Sequence, residues 1–282
     1  MSWPDFKHIT VKFFLNCAVF IWKTLARFGK INVIKDKVIY PRFFANFEPK
    51  LSDFGQKNFG YHCLDRLIET YKTFGDFECF INGHFDLEGH TSSCGSKRKT
   101  ISQFIEDAKS IGKKLFHLGL RKGDTVHLLL PNFTDYHAIA IGIWMCEATL
   151  SLGDPNSNTE VISTQIKDTN ARWIFCFEES RHNTFNALKD LDLLGEVKVI
   201  VVEKSCPNEN EDLHITEKGF MFYNDFMECS NDFIDPPLLQ DGPLLDDEVF
   251  LILWSSGTTG VPKGIQQSIE NARYFFGISK LA

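Results

Sequence analysis

Thr100–Leu130 reads TISQFIEDAKSIGKKLFHLGLRKGDTVHLLL, and its three parts decide the fold. Ile101, Phe104, Ile105, Ala108, Ile111, Leu115 and Phe116 recur at helical spacing, so Thr100–Leu118 reads as a helix with one apolar face. Thr100 is placed to cap its start. Gly119 is placed to end it, and Arg121-Lys122-Gly123-Asp124 turns the chain. Val126–Leu130 follows as a strand of the kind that is covered on both faces.

Downstream the same alternation continues. Pro131-Asn132 breaks the strand, and Phe133–Cys146 reads as a strongly apolar helix. Thr149–Leu152 is a short strand, and Gly153-Asp154-Pro155 a turn. Asn158 or Thr159 caps a helix running to about Asp168. Arg172–Phe177 is a strand, His182–Asp190 a helix and Val197–Val202 another strand. Strand, helix, strand, helix predicts an α/β fold, a mainly parallel sheet flanked by helices. Residues 204–247 are acidic and Pro-bearing, which predicts a long surface connection with one helix near Met221–Met227. Glu248–Trp254 (EVFLILW) is a further strand of nearly continuous apolar residues.

Upstream, Leu64–Phe74 has helical spacing and Phe77–Asn82 is a short apolar run compatible with a strand. The polar segment from Gly83 to Lys99 reads as a loop, with Lys97-Arg98-Lys99 as a solvated basic run. Residues 1–60 are Phe-rich, irregular and punctuated by Pro4, Pro41 and Pro49, and are expected to form a leading arm. Within them Phe13–Trp22 (FFLNCAVFIW) is shorter than the roughly 20 apolar residues of a membrane span. Docking of this segment on the protein body is the expectation, and association of residues 11–25 with a membrane surface is the alternative.

The net charge of −7 argues against a nucleic-acid partner, because a phosphate-backbone binder presents a basic face. Eight scattered cysteines without a CxxC pair argue against a zinc ribbon. Cys146 and Cys176 sit in apolar runs and read as buried free thiols, which favours a reducing compartment. His84, His90 and Cys94 share a Gly/Ser-rich loop, but their spacing matches no zinc pattern, and no metal site is assigned. The sequon Asn132-Phe133-Thr134 matters only in a secreted chain. The expected location is cytoplasmic, with peroxisomal and membrane-associated locations as alternatives. Ser279-Lys280-Leu281 is followed by Ala282, so it does not count as a peroxisomal address.

The candidate site is Trp254–Gly264, WSSGTTGVPKG. Glycines let backbone N–H groups approach an anion. Ser255, Ser256, Thr258 and Thr259 add hydroxyl donors, and Lys263 adds a point charge. Ser268–Phe276 reads as a helix capped by Ser268, whose start offers further N–H groups. The expected context is therefore strand, glycine-rich loop, helix. The stretch is neither a Walker A loop nor a dinucleotide fingerprint. Pro262 and Gly264 occupy the wrong places around Lys263, and Gly257, Gly260 and Gly264 have the wrong spacing. A Ser/Thr/Gly connector without chemistry is the bland alternative.

Ser256–Gly264 closely resembles the phosphate-binding signature of adenylate-forming enzymes, with Val261 at its variable position. That superfamily includes acyl-CoA synthetases, coumarate–CoA ligases, firefly luciferase and peptide-synthetase adenylation domains. GLRKGDTVHLLLPN, the helix and strand of His137–Pro155, and Asp246-Asp247 resemble other parts of it. The likeness covers roughly Leu64–Phe276 and is nearest to the acyl-CoA synthetase and luciferase-like branch.

The resemblance implies a two-step reaction. A carboxylate attacks the α-phosphate of Mg-ATP to give acyl-AMP and pyrophosphate, and a thiol, usually coenzyme A, takes the acyl group. It implies that Ser255, Ser256, Gly257, Thr258, Thr259, Gly260, Lys263 and Gly264 hold the outer phosphates of ATP. The implied partners are a small-molecule carboxylate, ATP with Mg2+, and CoA. No catalytic residue is assigned. Where the family often has Ser-His-x-Asn near the acyl pocket, this chain has Ser268, Ile269, Glu270 and Asn271.

The expected organisation is an arm over residues 1–60 and an incomplete AMP-binding (adenylation) domain over residues 61–282, without the lysine-bearing C-terminal domain. The expectation is a ligase truncated after its phosphate loop and inactive as given, with apolar surface exposed on the last strand and helix. A non-catalytic relative acting as a binding or interaction module is the alternative.

Overall fold

The computed structural model describes residues 31–33, 39–41, 57–82, 97–202, 217–229, 232–238, 247–255 and 262–272. The chain divides into two compact units, residues 1–51 and residues 52–282. In the first, β1 (Ile31–Val33) pairs antiparallel with β2 (Ile39–Pro41), so the stretch expected to be irregular contains a short hairpin. The apolar run Phe13–Trp22 lies outside the described residues, as do His84, His90 and Cys94.

The second unit opens with α1 (Phe59–Phe74), five residues before the helical spacing becomes visible in the sequence. Buried Asn58 sets that start. Its side-chain oxygen accepts from the Tyr61 N–H, and its amide donates to the Met145 carbonyl at 2.9 Å. β3 (Glu78–Asn82) and β4 (Lys97–Thr100) then pair antiparallel. This corrects the reading of Lys97–Lys99 as a solvated loop. Arg98 is exposed and pairs with Glu78 across the two strands at 2.6 Å, while Lys99 is half-buried between Asp107 and Asp135. Burial pulls the Lys99 pKa down, but the two carboxylates outweigh it and raise it overall.

α2 (Ile101–His117) starts on a complete capping box. Thr100 accepts from the Gln103 N–H, and the Gln103 side chain accepts from the Thr100 N–H. The apolar face expected for this helix is buried, with Phe116 at its margin. Gly119, at φ 102°, follows the cap in the left-handed region that favours glycine.

From here the chain alternates as its apolar runs predict. β5 (Thr125–Leu129), α3 (Tyr136–Met145), β6 (Thr149–Leu152), α4 (Thr159–Thr169), β7 (Trp173–Phe177), α5 (Arg181–Asp190) and β8 (Lys198–Val202) follow in order. Asn158 is the cap of α4, accepting from the Val161 N–H. The long connection holds more structure than expected, with β9 (Phe220–Phe222) running directly into α6 (Tyr223–Glu228). β10 (Val249–Ser255) and β11 (Lys263–Ser268) complete the sheet.

The described strands form a seven-stranded sheet in the order β11-β10-β6-β5-β7-β8-β9. All neighbours are parallel except β11, which lies antiparallel on β10 at the edge. Strand periodicity divides the core in two. Val126, Leu128, Trp173, Phe175 and Ile200 face one way, into a cluster with α1, α2, α3 and α6. Leu129, Ile174, Cys176, Val199 and Val201 face the other way, onto Ile162 and Ile166 of α4 and Ala187 and Leu188 of α5. The chain is therefore α/β, with helices on both faces of a mainly parallel sheet. Cys146 and Cys176 are buried free thiols, and burial pushes Cys176 up to about 12.

Candidate phosphate-binding site

In a parallel sheet the carboxyl ends of the strands share one edge, and ligands bind in the crevices outside that edge. The loop leaving β5 leads to α3 on one face, and those leaving β6 and β7 lead to α4 and α5 on the other. β10 lies beside β6 and parallel to it, with Leu251, Ile252 and Leu253 opposite Leu150, Ser151 and Leu152. Its last residue, Ser255, is the first of the predicted site residues, so the glycine-rich stretch leaves the sheet at this edge.

The expected strand–loop–helix context is corrected here. Lys263 and Gly264 begin β11 rather than leading into a helix. Ser255 pairs with Lys263, and Trp254 with Gly264, so the candidate loop joins two antiparallel strands. Ser255 Oγ donates to the Lys263 carbonyl at 3.5 Å. Helical geometry starts only at Ile269, where Ser268 Oγ accepts from the Asn271 N–H at 3.3 Å. Gln266 and Gln267 have little apolar character, which hid the second strand from a hydrophobic pattern.

Of the predicted site residues, Ser255 is half-buried, and Lys263 and Gly264 are exposed. Ser256, Gly257, Thr258, Thr259 and Gly260 lie outside the described residues. The connection of residues 256–262 is longer than the roughly two to five residues of ordinary hairpin loops. The stem from Lys263 to Ser268 carries one cation, one hydroxyl and two side-chain amides, and no carboxylate. That donor set suits an anion. Among the described residues no group of three or more His, Cys, Asp or Glu side chains could hold a metal ion.

β10 is strapped to the body along its length. Thr149 Oγ1 donates to the Val249 carbonyl at 2.7 Å, and Trp144 Nε1 to the Phe250 carbonyl at 2.9 Å. Lys122 reaches Glu248 at 2.8 Å and Glu147 at 3.3 Å. Farther along, Trp254 Nε1 donates to Ser151 Oγ at 2.9 Å. The strand is less covered than its apolar sequence suggests: Ile252 is buried, while Leu253 is 39% exposed and Ile265 opposite it 49%. The helical turn after β11 departs from the expected exposure, since Ile269 and Ala272 are buried against Phe59.

A model of AMP-binding enzymes fits residues 72–280. The chain belongs to the AMP-binding enzyme family. Among its relatives are a 4-coumarate–CoA ligase-like protein of Arabidopsis thaliana, 27% identical over 62% of this chain and 28% of the relative. An acetyl-coenzyme A synthetase of Marinobacter nauticus is 25% identical over 79% of this chain and 33% of the relative. A 4-coumarate–CoA ligase of Petroselinum crispum is 26% identical over 70% and 31%. The chain thus spans about a third of the length of the curated relatives it matches.

Ile269, the residue at which the sequence departs from the resemblance, has a clear structural place. It is 3% exposed, packs with Phe59 and Ala272, and its N–H donates to the Glu248 carbonyl at 2.8 Å. Ile269 is a core residue that locks the end of β11 onto α1, a role for which an apolar side chain is suited.

The feature that sequence reading missed is polar and central. His127 on β5 is fully buried. Its Nδ1 meets Ser151 Oγ at 3.0 Å, and its Nε2 meets Gln165 Oε1 at 3.1 Å. Burial holds its pKa at about 4, although hydrogen bonding to the Gln165 side chain and the Ser151 backbone pulls the other way, so the imidazole is neutral at pH 7. A single histidine in VHLLL and a serine in TLSL carry no spacing signal, because their partners lie on other strands.

Proposed function

We propose that this chain is the phosphate-gripping part of an ATP-dependent acid–thiol ligase. The whole enzyme joins a carboxylate to ATP, forming acyl-AMP with release of pyrophosphate, and passes the acyl group to coenzyme A. Ser255, Ser256, Gly257, Thr258, Thr259, Gly260, Lys263 and Gly264 hold the outer phosphates of ATP through backbone N–H groups, hydroxyls and the Lys263 ammonium. Magnesium would arrive on the nucleotide, liganded by its phosphates, and would neutralise charge there.

The observation that carries this reading is the placement of Ser255 and Lys263. They face each other across the last pair of a hairpin at the carboxyl edge of a parallel sheet, in a chain of the AMP-binding family. The names of the relatives, 4-coumarate–CoA ligase and acetyl-coenzyme A synthetase, support a carboxylic acid as substrate class. Charge neutralisation and positioning are what phosphoryl chemistry asks of a protein.

Calorimetric titration of the 282-residue chain with Mg-ATP tests the assignment. Replacing Lys263 by Ala removes a charge-assisted bond and should weaken binding by roughly tenfold or more. Unchanged affinity in Lys263→Ala would remove the loop from the site. The same chain should show no carboxylate-dependent ATP–pyrophosphate exchange, because it spans about a third of its relatives. Robust exchange would contradict that part of the reading.

A further inference from the structure

The polar groups around His127 form one line. Trp254 Nε1 only donates and Gln165 Oε1 only accepts, and with a neutral imidazole between them one order of protons satisfies all three contacts. The indole N–H donates to Ser151 Oγ, the Ser151 hydroxyl donates to His127 Nδ1, and His127 Nε2–H donates to Gln165 Oε1. The line runs from β10 through β6 and β5 to α4. His127, Ser151 and Gln165 are each no more than 2% exposed. Every group in it is satisfied by a neutral imidazole.

The end of this line is at the candidate site. Trp254 immediately precedes Ser255 and pairs with Gly264. A methyl group built on Gly264 would come within 3.4 Å of the indole Cη2 and 3.2 Å of Ile252 Cγ2. The indole therefore lies against the bare backbone of Gly264, next to Lys263. An apolar side chain at position 151 would fill the sheet equally well, but it would leave the indole N–H without its partner and the ring free to turn.

We propose that Gln165, His127, Ser151 and Trp254 are a positioning relay that fixes the root of the β10–β11 hairpin and so presents Ser255 and Lys263 to a polyphosphate. This rests on reading the loop as a phosphate grip. The relay touches no ligand. Its hydrogen bonds hold the indole orientation, and the indole holds the strand pair in register where the loop departs.

Inorganic tripolyphosphate with Mg2+ is the probe, titrated against the full 282-residue chain and its variants. Ser151→Ala cuts the line in the middle. Trp254→Phe keeps a ring over Gly264 but removes the N–H. Each should weaken tripolyphosphate binding by about tenfold, the value of one or two hydrogen bonds. Leu188→Ala is the control, since it empties core space under α5 without touching the line. It should lower the melting temperature at least as much as Ser151→Ala and leave the affinity unchanged. The Trp254 indole N–H resonance, assigned by its loss in Trp254→Phe, should be protected from solvent exchange in the wild type and unprotected in Ser151→Ala. Affinities in Ser151→Ala and Trp254→Phe no weaker than in Leu188→Ala would overturn the relay while leaving the grip intact. A wild-type chain that does not bind tripolyphosphate would overturn the grip, and the relay's purpose with it.

Discussion

His127 makes a specific pH signature at the scale of one residue. Its pKa is about 4 in the fold against an ordinary 6.5. As pH falls through 6.5 the unfolded chain takes up a proton that the native imidazole refuses until about 4. Its contribution is therefore complete above pH 6.5 and is lost as pH falls from 6.5 to 4, by roughly 3 kcal/mol. Urea unfolding of His127→Gln should show a shallower loss across that window than the wild type, and parallel curves would mean that His127 titrates normally. Gly60 makes a steric prediction. A Cβ there would stand 2.2 Å from the Met145 backbone nitrogen and 2.5 Å from the Trp144 carbonyl carbon, at the crossing of α1 and α3. Gly60→Ala should cost about 3 kcal/mol or more, because backbone cannot yield as a side-chain tip does. A melting temperature unchanged from wild type would show that the helices separate without penalty.

Elements were legible where apolar spacing was strong. α2 and β5 could be read from Thr100–Leu130 because seven apolar residues keep helical phase before a run of apolar strand residues. The capping box of α2 makes this local agreement testable: Thr100→Ala should lose about 1 kcal/mol of stability in denaturant unfolding. β4, β9 and β11 escaped because their sequences, KRKT, FMF and KGIQQS, take their strand character from a neighbouring strand. The consequence was largest at β11. A glycine-rich loop followed by a capping serine reads as strand–loop–helix, yet the pairing of Ser255 with Lys263 makes it the connection of a hairpin. The candidate residues are readable as a motif, while the polar groups linked to Trp254 beside them are not. Ser151, His127 and Gln165 belong to three different elements, and only the sheet order brings them together.

At the scale of the whole molecule, sheet topology sets the site. Six parallel strands bring the ends of β5, β6, β7 and β10 to one edge, with helices packed on both faces of the sheet. The hairpin at this edge carries Ser255 and Lys263, the serine and lysine of the proposed grip. The proposed grip would act on outer phosphates, so affinity should depend on how many phosphates the ligand has. The direct measurement is a calorimetric series of AMP, ADP and ATP, each with Mg2+, against the 282-residue chain. The account predicts that affinity rises with each phosphate and that ATP binds at least about tenfold more tightly than AMP. AMP binding as tightly as ATP would contradict it.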